Sequence, residues 1–146
     1  MKIAIGSDHR GYDLKTELIK KLVDNNINCE DLGCFSKDRS DYPVFGFKVG
    51  ESVSKKECDY GVVICGSGDG VTIAANKVNG VRCMRATDCK RVITAREHLN
   101  VNVIAFCAEE INVEEAFEMV KAMISTEFLK GRYEERTKMI GEYENK

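Results

Sequence analysis

The sequence has no long hydrophobic run. No apolar stretch approaches the roughly 20 residues that a membrane-spanning helix requires. Met1 and Lys2 lead directly into an apolar run of four residues, which does not resemble a signal peptide. We therefore expect a cytoplasmic protein with no membrane partner.

An excess of charge of one sign is also missing. Lysine and arginine number 22 against 24 acidic residues, which leaves a formal net charge of −2. Nucleic-acid-binding domains are usually basic, so we expect no nucleic-acid partner. Four arginines do fall close together and could form a local anion patch, although a solvated helix face is the simpler interpretation of each: Arg82, Arg85, Arg91 and Arg96.

The seven cysteines lack the spacing of a metal site. They include no C-x-x-C pair, and of the two histidines only His98 lies near a cysteine, Cys89. An odd number of cysteines, several of them inside apolar strand patterns, is typical of small buried thiols in a reducing compartment. We therefore predict no metal site.

Proline is nearly absent, with Pro43 its only instance, and no repeat, linker or low-complexity segment interrupts the chain. A length of 146 residues suits one hydrophobic core, so residues 1–146 are predicted to form a single domain. Strand and helix periodicities alternate along the sequence. The predicted strands are 2–7, 27–32, 60–65, 81–86 and 102–106, and the predicted helices are 11–25, 44–54, 71–78, 88–97, 113–128 and 132–143.

This alternation predicts an α/β fold, with a five-stranded parallel sheet covered by helices on both faces. Ligands of such sheets bind at the carboxyl ends of the strands. Polar residues fall at three of these ends: Asp8 and His9, Cys65 to Gly70, and Thr87 and Asp88. Two simpler explanations stay open, since Asp8 could merely cap the first helix and His98 could offset a helix dipole at the surface.

The most informative segment runs from Val62 to Val71, where an apolar strand enters the glycine-rich turn GSGDG before a helix. Backbone N–H groups and the helix N-terminus converge there on a point suited to an anion. Cys65 would place an ionisable thiol beside groups able to stabilise an oxyanion. A phosphate-binding or purely structural turn with a buried cysteine fits equally well. The turn lacks G-x-G-x-x-G spacing, which disfavours dinucleotide binding.

Six motifs, in order along the chain, make the sequence similar to a known enzyme family. They are Gly6-Ser7-Asp8-His9-x-Gly11, Asp41-Tyr42-Pro43, Ile64-Cys65-Gly66-Ser67-Gly68, Ile73-Ala74-Ala75-Asn76-Lys77, Arg96-Glu97-His98 and Gly131-Arg132-x-x-x-Arg136. Over essentially its whole length the sequence resembles ribose-5-phosphate isomerase type B, whose family includes the lactose-type galactose-6-phosphate isomerase subunits. The resemblance implies a Rossmann-like three-layer α/β/α subunit with a C-terminal helix.

The resemblance implies an aldose–ketose isomerisation through a cis-enediol that needs no metal and no cofactor. The reaction would interconvert ribose 5-phosphate and ribulose 5-phosphate in the pentose phosphate pathway. Cys65 would be the base that moves a proton between C1 and C2. Some relatives lack this cysteine and have a glutamate where Val71 stands. Because Val71 cannot accept a proton, the role falls to Cys65 in this chain. Ser67 and His98 would assist opening of the furanose ring. The backbone amides of Gly66 through Gly70 would hold the enediolate oxygen.

The resemblance also implies how the sugar phosphate is held. Asp8 would orient sugar hydroxyls, and Tyr42 would line a pocket whose substrate-binding turn residues are Gly66, Gly68, Asp69 and Gly70. His9, Arg132 and Arg136 would clamp the phosphate, although a solvated helix flank explains the two arginines as well. Active sites shared across a homodimer are implied, with residues 131–146 at the interface and a tetramer as the larger alternative.

Two positions depart from the family pattern. Leu99 follows His98 where relatives usually have asparagine, and Glu109 stands where many carry a phosphate-binding arginine. Arg10 replaces a small or apolar residue and could compensate for that lost arginine. These departures keep two alternatives open: an isomerase of a different sugar phosphate, such as a hexose 6-phosphate, and a non-catalytic sugar-phosphate-binding paralogue.

Overall fold

A computed structural model describes all 146 residues. Five parallel strands form one sheet in the order β2-β1-β3-β5-β4. The strands are β1 (Ile3–Ser7), β2 (Cys29–Asp31), β3 (Tyr60–Cys65), β4 (Cys83–Arg85) and β5 (Val103–Cys107). The helices are α1 (Tyr12–Asp24), α2 (Tyr42–Ser54), α3 (Asp69–Asn76), α4 (Cys89–Leu99), α5 (Val113–Ser125) and α6 (Arg132–Glu144), and a single 3-10 turn (His9–Gly11) precedes α1.

Helices cover both faces of the sheet, which confirms the predicted three-layer α/β/α architecture. Helices α1, α4 and α5 pack on one face, against strand residues such as Ile5, Ile64 and Ile104. Helices α2 and α3 pack on the other, against the neighbouring residues Ala4 and Val63. Since successive strand residues point to opposite faces, strands buried on both sides are apolar without a break.

A crevice opens where the chain changes direction across the sheet. Strand β1 is followed by α1 on one face, whereas its neighbour β3 is followed by α3 on the other face. The carboxyl ends of two such strands are the usual ligand position in open α/β sheets. The Asp8 N–H donates to the Ile64 carbonyl at 3.2 Å, which joins the two strand ends.

Most helix boundaries differ from the sequence prediction by one to three residues, and three of them have a clear local reason. Helix α2 begins at Tyr42 because Pro43 fits the first turn, where no N–H is needed. Helix α3 begins at Asp69 because Gly68, in a left-handed conformation, ends the turn earlier than expected. Helix α5 ends at Ser125, since Thr126 adopts an extended backbone.

Helix α6 lies outside the three layers. None of its residues is buried, and its far end reaches Gly80, whose N–H donates to Glu144 Oε2 at 2.9 Å. Met139, Ile140 and Tyr143 are each at least half exposed, so this chain leaves them uncovered. No helix of the structure combines the length and the apolar character needed to cross a bilayer.

A buried ion pair between α1 and β2 yields a stability prediction. Lys15 is 1% exposed, and its Nζ donates to both carboxylate oxygens of Asp31 at 2.8 and 2.7 Å. Asp31→Asn keeps the side-chain shape but leaves the buried ammonium without its counter-charge. We expect the free energy of unfolding to fall by about 2–3 kcal/mol, less than for a fully buried pair because the Asp31 side chain is partly solvated.

Urea denaturation measures this loss, and Lys15→Met is the matched control. Removing the charge and keeping the apolar stem should cost less than about 1 kcal/mol, because the Asp31 carboxylate left behind is partly solvated and still accepts from the Gly33 N–H. Equal losses in the two variants would contradict the assignment of the effect to an uncompensated Lys15.

Candidate active site

The glycine-rich turn between β3 and α3 forms the centre of the site. Gly68 has a φ of 80°, and a Cβ there would lie 3.0 Å from the Cys107 nitrogen, so conformation and space both require glycine. The reversal lets the Gly68 N–H donate to the sulfur of Cys65 at 3.2 Å. Cys65 is the last residue of β3 and is 4% exposed.

Several backbone donors of the turn are free. The Asp69 N–H donates to Ser67 Oγ at 3.2 Å, and the Gly68 N–H is taken by the Cys65 sulfur. The N–H groups of Gly66, Ser67 and Gly70 have no partner within the chain. All three lie in the turn or at the start of α3, where a helix leaves N–H groups unpaired, so they remain available to an oxyanion.

Asp8 and His9 meet the turn from the end of β1. Asp8 Oδ1 accepts from the N–H groups of Arg10 and Gly11 at 3.0 and 3.1 Å, so Asp8 caps the 3-10 turn that leads into α1, close to the simpler alternative of a cap on the first helix. Its Oδ2 makes no hydrogen bond within the chain. His9 Nδ1 lies 3.2 Å from both the nitrogen and the carbonyl oxygen of Ser40, which orients the ring and leaves Nε2 for a ligand.

Tyr42 approaches the turn from the start of α2. A Cβ on Gly70 would lie 2.8 Å from Cε2 and Cζ of the Tyr42 ring, so the ring packs directly on the Gly70 backbone. Tyr42 is 42% exposed and covers the turn from outside. Asp8, His9 and Tyr42 are thus brought to the same crevice as the Cys65 turn.

Two arginines border the turn: Arg10, a candidate substitute for the missing phosphate-binding arginine, and Arg85, one of the four arginines of the possible anion patch. The Arg10 guanidinium packs on Gly66, where a Cβ would overlap it, and forms an ion pair with Glu109. Arg85 Nε donates to the Ser67 carbonyl at 2.8 Å from the end of β4. Both arginines lie close to predicted strand ends, which indicates that they are near the site. The sequence alone does not show which turn they contact.

His98 lies at the opposite end of the strands from Cys65, where their amino ends gather. Helix α4 runs back from the carboxyl edge, and near its end the Arg96 guanidinium lies 5.2 Å from the ring centroid of Tyr60, the first residue of β3. Tyr60 and Cys65 are about 16 Å apart at about 3.3 Å per residue. One chain therefore does not bring His98 to Cys65.

A second cluster forms around His98. Its ring stacks on Tyr133 with centroids 4.3 Å apart and an interplanar angle of 8°. Arg132 Nη2 lies 3.2 Å from the Tyr133 hydroxyl, and Arg136 is exposed one turn further along α6. His98 and the half-exposed Leu99 also line a groove of about 540 Å³ along α4. Tyr133 falls on an unspecified position of the motif Gly131-Arg132-x-x-x-Arg136, so sequence reasoning missed it.

Four cysteines away from the turn have raised pKa values, which makes them poor bases. Burial raises the pKa of Cys83 to about 12. Burial also raises the pKa values of Cys29, Cys58 and Cys89. These thiols stay protonated at neutral pH.

No three Cys, His, Asp or Glu side chains gather closely enough to hold a metal ion.

Comparison with known proteins agrees with the geometry. The chain matches the Ribose/Galactose Isomerase family over residues 3–140. It belongs to this family. It is 36% identical over 139 residues to ribose-5-phosphate isomerase B of Escherichia coli (strain K12), which covers 95% of this chain and 93% of that protein. The predicted family membership is confirmed.

Solved structures of this isomerase family show the same fold. Ribose-5-phosphate isomerase B of Clostridium thermocellum superposes with a TM-score of 0.95 at 41% identity, covering 99% of this chain and 98% of that one. The enzyme of Mycoplasma genitalium, solved with bound ribulose-5-phosphate, superposes with a TM-score of 0.93 at 35% identity, covering 99% and 97%. The chain is thus similar to aldose–ketose isomerases along its whole length.

The left-handed turn residue yields a second prediction. Gly68→Ala places a Cβ in an unfavourable φ region and against the β5 backbone, so the free energy of unfolding should fall by at least about 1–2 kcal/mol. Gly141 is the control, because it lies inside α6 with nothing within 4 Å of its Cβ position. Gly141→Ala should instead stabilise by about 0.5–1 kcal/mol. Thermal and urea unfolding test both, and a neutral Gly68→Ala would contradict the constraint.

Proposed function

We propose that this chain is a metal-free aldose–ketose isomerase that interconverts ribose 5-phosphate and ribulose 5-phosphate through a cis-enediol. The observation that carries the proposal is the Cys65 thiol beside the free N–H groups of its own glycine turn. A base next to fixed oxyanion donors is what proton transfer alpha to a carbonyl requires. The bound ribulose-5-phosphate of the Mycoplasma genitalium relative supports a pentose phosphate as substrate.

In the isomerisation step, Cys65 acts as a thiolate. It removes the proton from C2 of the open-chain aldose, and negative charge develops on the C1 oxygen. The free N–H groups of Gly66, Ser67 and Gly70 are placed to donate to that oxygen. The thiol then returns its proton to C1 while the C2 hydroxyl proton passes to the C1 oxygen, which leaves the ketose.

Other residues hold the substrate. Asp8 Oδ2 is free to accept from sugar hydroxyls, and the Tyr42 ring lines the same crevice beside Asp69. Ser67 and His98 would assist opening of the furanose ring. The phosphate would be clamped by charge-assisted hydrogen bonds from His9, Arg132 and Arg136.

The Cys65 site is completed, in this proposal, by a second copy of the chain. His98 and the α6 arginines are about one strand length from Cys65 in the same chain. In a two-fold symmetric dimer, the His98 edge of each copy can face the Cys65 edge of the other, which makes two equivalent sites. Uncovered apolar side chains on α2, α3 and α6 support such an interface: Val44, Phe47, Ile73, Met139 and Ile140.

Removal of the thiol tests the base assignment. Cys65→Ala should lower kcat for ribose 5-phosphate by about 10²–10⁴-fold, the usual contribution of a positioned general base. A hydroxamate phosphate that mimics the enediolate should still bind. Cys89→Ala removes a thiol at the start of α4, outside the turn, and should keep full activity.

Chelator treatment separates this mechanism from a metal-dependent one. Saturating chelator should leave the wild-type rate unchanged. Activity that is lost with chelator and restored by zinc or manganese would contradict the proposal, as would near-normal turnover by Cys65→Ala.

Subunit mixing tests whether the site is shared. Cys65→Ala and His98→Asn chains are each expected to be nearly inactive alone. Hybrid dimers would contain one intact site, because each copy supplies the group that the other lacks. After denaturation and refolding of an equal mixture, about a quarter of wild-type activity should return, since about half of the dimers are hybrids. No recovery, in a mixture shown to exchange subunits, would place the whole site in one chain.

A further inference from the structure

We propose that Tyr133 is a positioning residue that fixes the His98 ring and the Arg132 guanidinium relative to each other, so that the two groups enter the substrate site as one unit. The inference rests on the proposed function, in which His98 assists ring opening and Arg132 holds the phosphate. It concerns a residue that touches neither reacting atoms nor phosphate.

The contact with His98 is a parallel stack. The ring centroids are 4.3 Å apart, and the planes differ by 8°. His98 is in the last turn of α4 and only half-buried, so few other contacts restrain its ring. Aromatic stacking restrains the plane of an otherwise exposed imidazole. Tyr133 therefore sets the plane in which the ring nitrogens of His98 lie.

The contact with Arg132 has two parts. The guanidinium carbon lies 5.1 Å from the Tyr133 ring centroid, and Nη2 lies 3.2 Å from the hydroxyl oxygen, to which it donates. A cation over an aromatic face and a hydrogen bond to the same side chain restrain both the position and the orientation of the guanidinium. Arg132 is otherwise exposed on α6.

Tyr133 is itself held in place by the backbone. Lys130 and Gly131 have φ values of 62° and 57°, and this sharp reversal directs the start of α6 onto the end of α4. The Leu129 N–H donates to the Glu97 carbonyl at 3.1 Å, one residue before His98. The stack therefore joins two segments that the backbone already holds together.

The shape of the substrate explains why it matters that Tyr133 holds both His98 and Arg132. In the furanose form, only C4, C5 and the ester oxygen lie between the ring oxygen and the phosphorus. A group that protonates the ring oxygen and a group that binds the phosphate must keep a matching separation. Independent side chains would lose that separation through rotation about their own bonds.

Two substitutions at Tyr133 separate its contacts. Tyr133→Phe keeps the aromatic ring and loses the hydroxyl, so KM for ribose 5-phosphate should rise several-fold while kcat stays within about twofold. Tyr133→Leu loses both contacts, so kcat should also fall by about tenfold. Tyr143→Phe, which removes a hydroxyl from the same helix and keeps the ring, should change neither constant. Circular dichroism checks that every variant is folded.

A proton NMR measurement tests the contact without activity. The chain has two histidines, so the spectrum holds two imidazole C2–H resonances, and His9 serves as the internal reference. Tyr133→Leu should move the His98 resonance because the ring current of Tyr133 is lost, whereas Tyr133→Phe should leave it nearly in place. Failure of the proposed function would appear separately, as wild-type protein that does not turn over ribose 5-phosphate.

Three results would overturn the proposal. A His98 resonance that Tyr133→Leu does not move, or a folded Tyr133→Leu with wild-type kcat and KM, would overturn the proposal. Equal losses of kcat in the Phe and Leu variants would also overturn it, because stacking would then not be the contact that positions His98.

Discussion

All five strands run parallel, and this constraint governs where each functional side chain lies. Two consecutive strands can run parallel only if a crossover connection returns the chain from the carboxyl end of the first strand to the amino end of the next. In this chain a helix makes each of these crossovers. Residues that follow strands, such as Asp8 and Cys65, therefore gather at the carboxyl edge. Residues at the ends of helices, such as His98, are carried to the amino edge. The proposed division of the active site between two chains follows from this geometry.

At the carboxyl edge, the local chemistry depends on a single backbone reversal. The left-handed Gly68 turns the chain so that its own N–H meets the Cys65 sulfur. The N–H groups of Gly66, Ser67 and Gly70 stay unpaired in the same turn and at the start of α3. Thiol and oxyanion donors are thus held by the same few peptide units, which leaves little freedom for either to move without the other.

Charge at the mouth of this turn is balanced within the chain. The family resemblance leads us to expect an arginine where this chain has Glu109, and a carboxylate there would repel an anionic ligand. The structure pairs Glu109 with Arg10, whose guanidinium lies over Gly66. Both side chains are largely exposed, and such a pair is worth only about 0–1 kcal/mol. The carboxylate of Glu109 is therefore not left unpaired beside the turn.

The sequence by itself determined the layered α/β fold, because apolar periodicity and glycine turns act over short stretches of chain. It also determined that Asp8, Cys65 and Ser67 lie at strand ends, and hence at one edge. Only the tertiary structure decided that His98 and Arg132 lie about a strand length from Cys65 and stack together on Tyr133. It alone showed the ion pair between Arg10 and Glu109 and the hydrogen bond from Arg85 to the Ser67 carbonyl. These contacts join residues far apart in sequence, and their partners depend on strand order and on the path of α6, which no local pattern encodes.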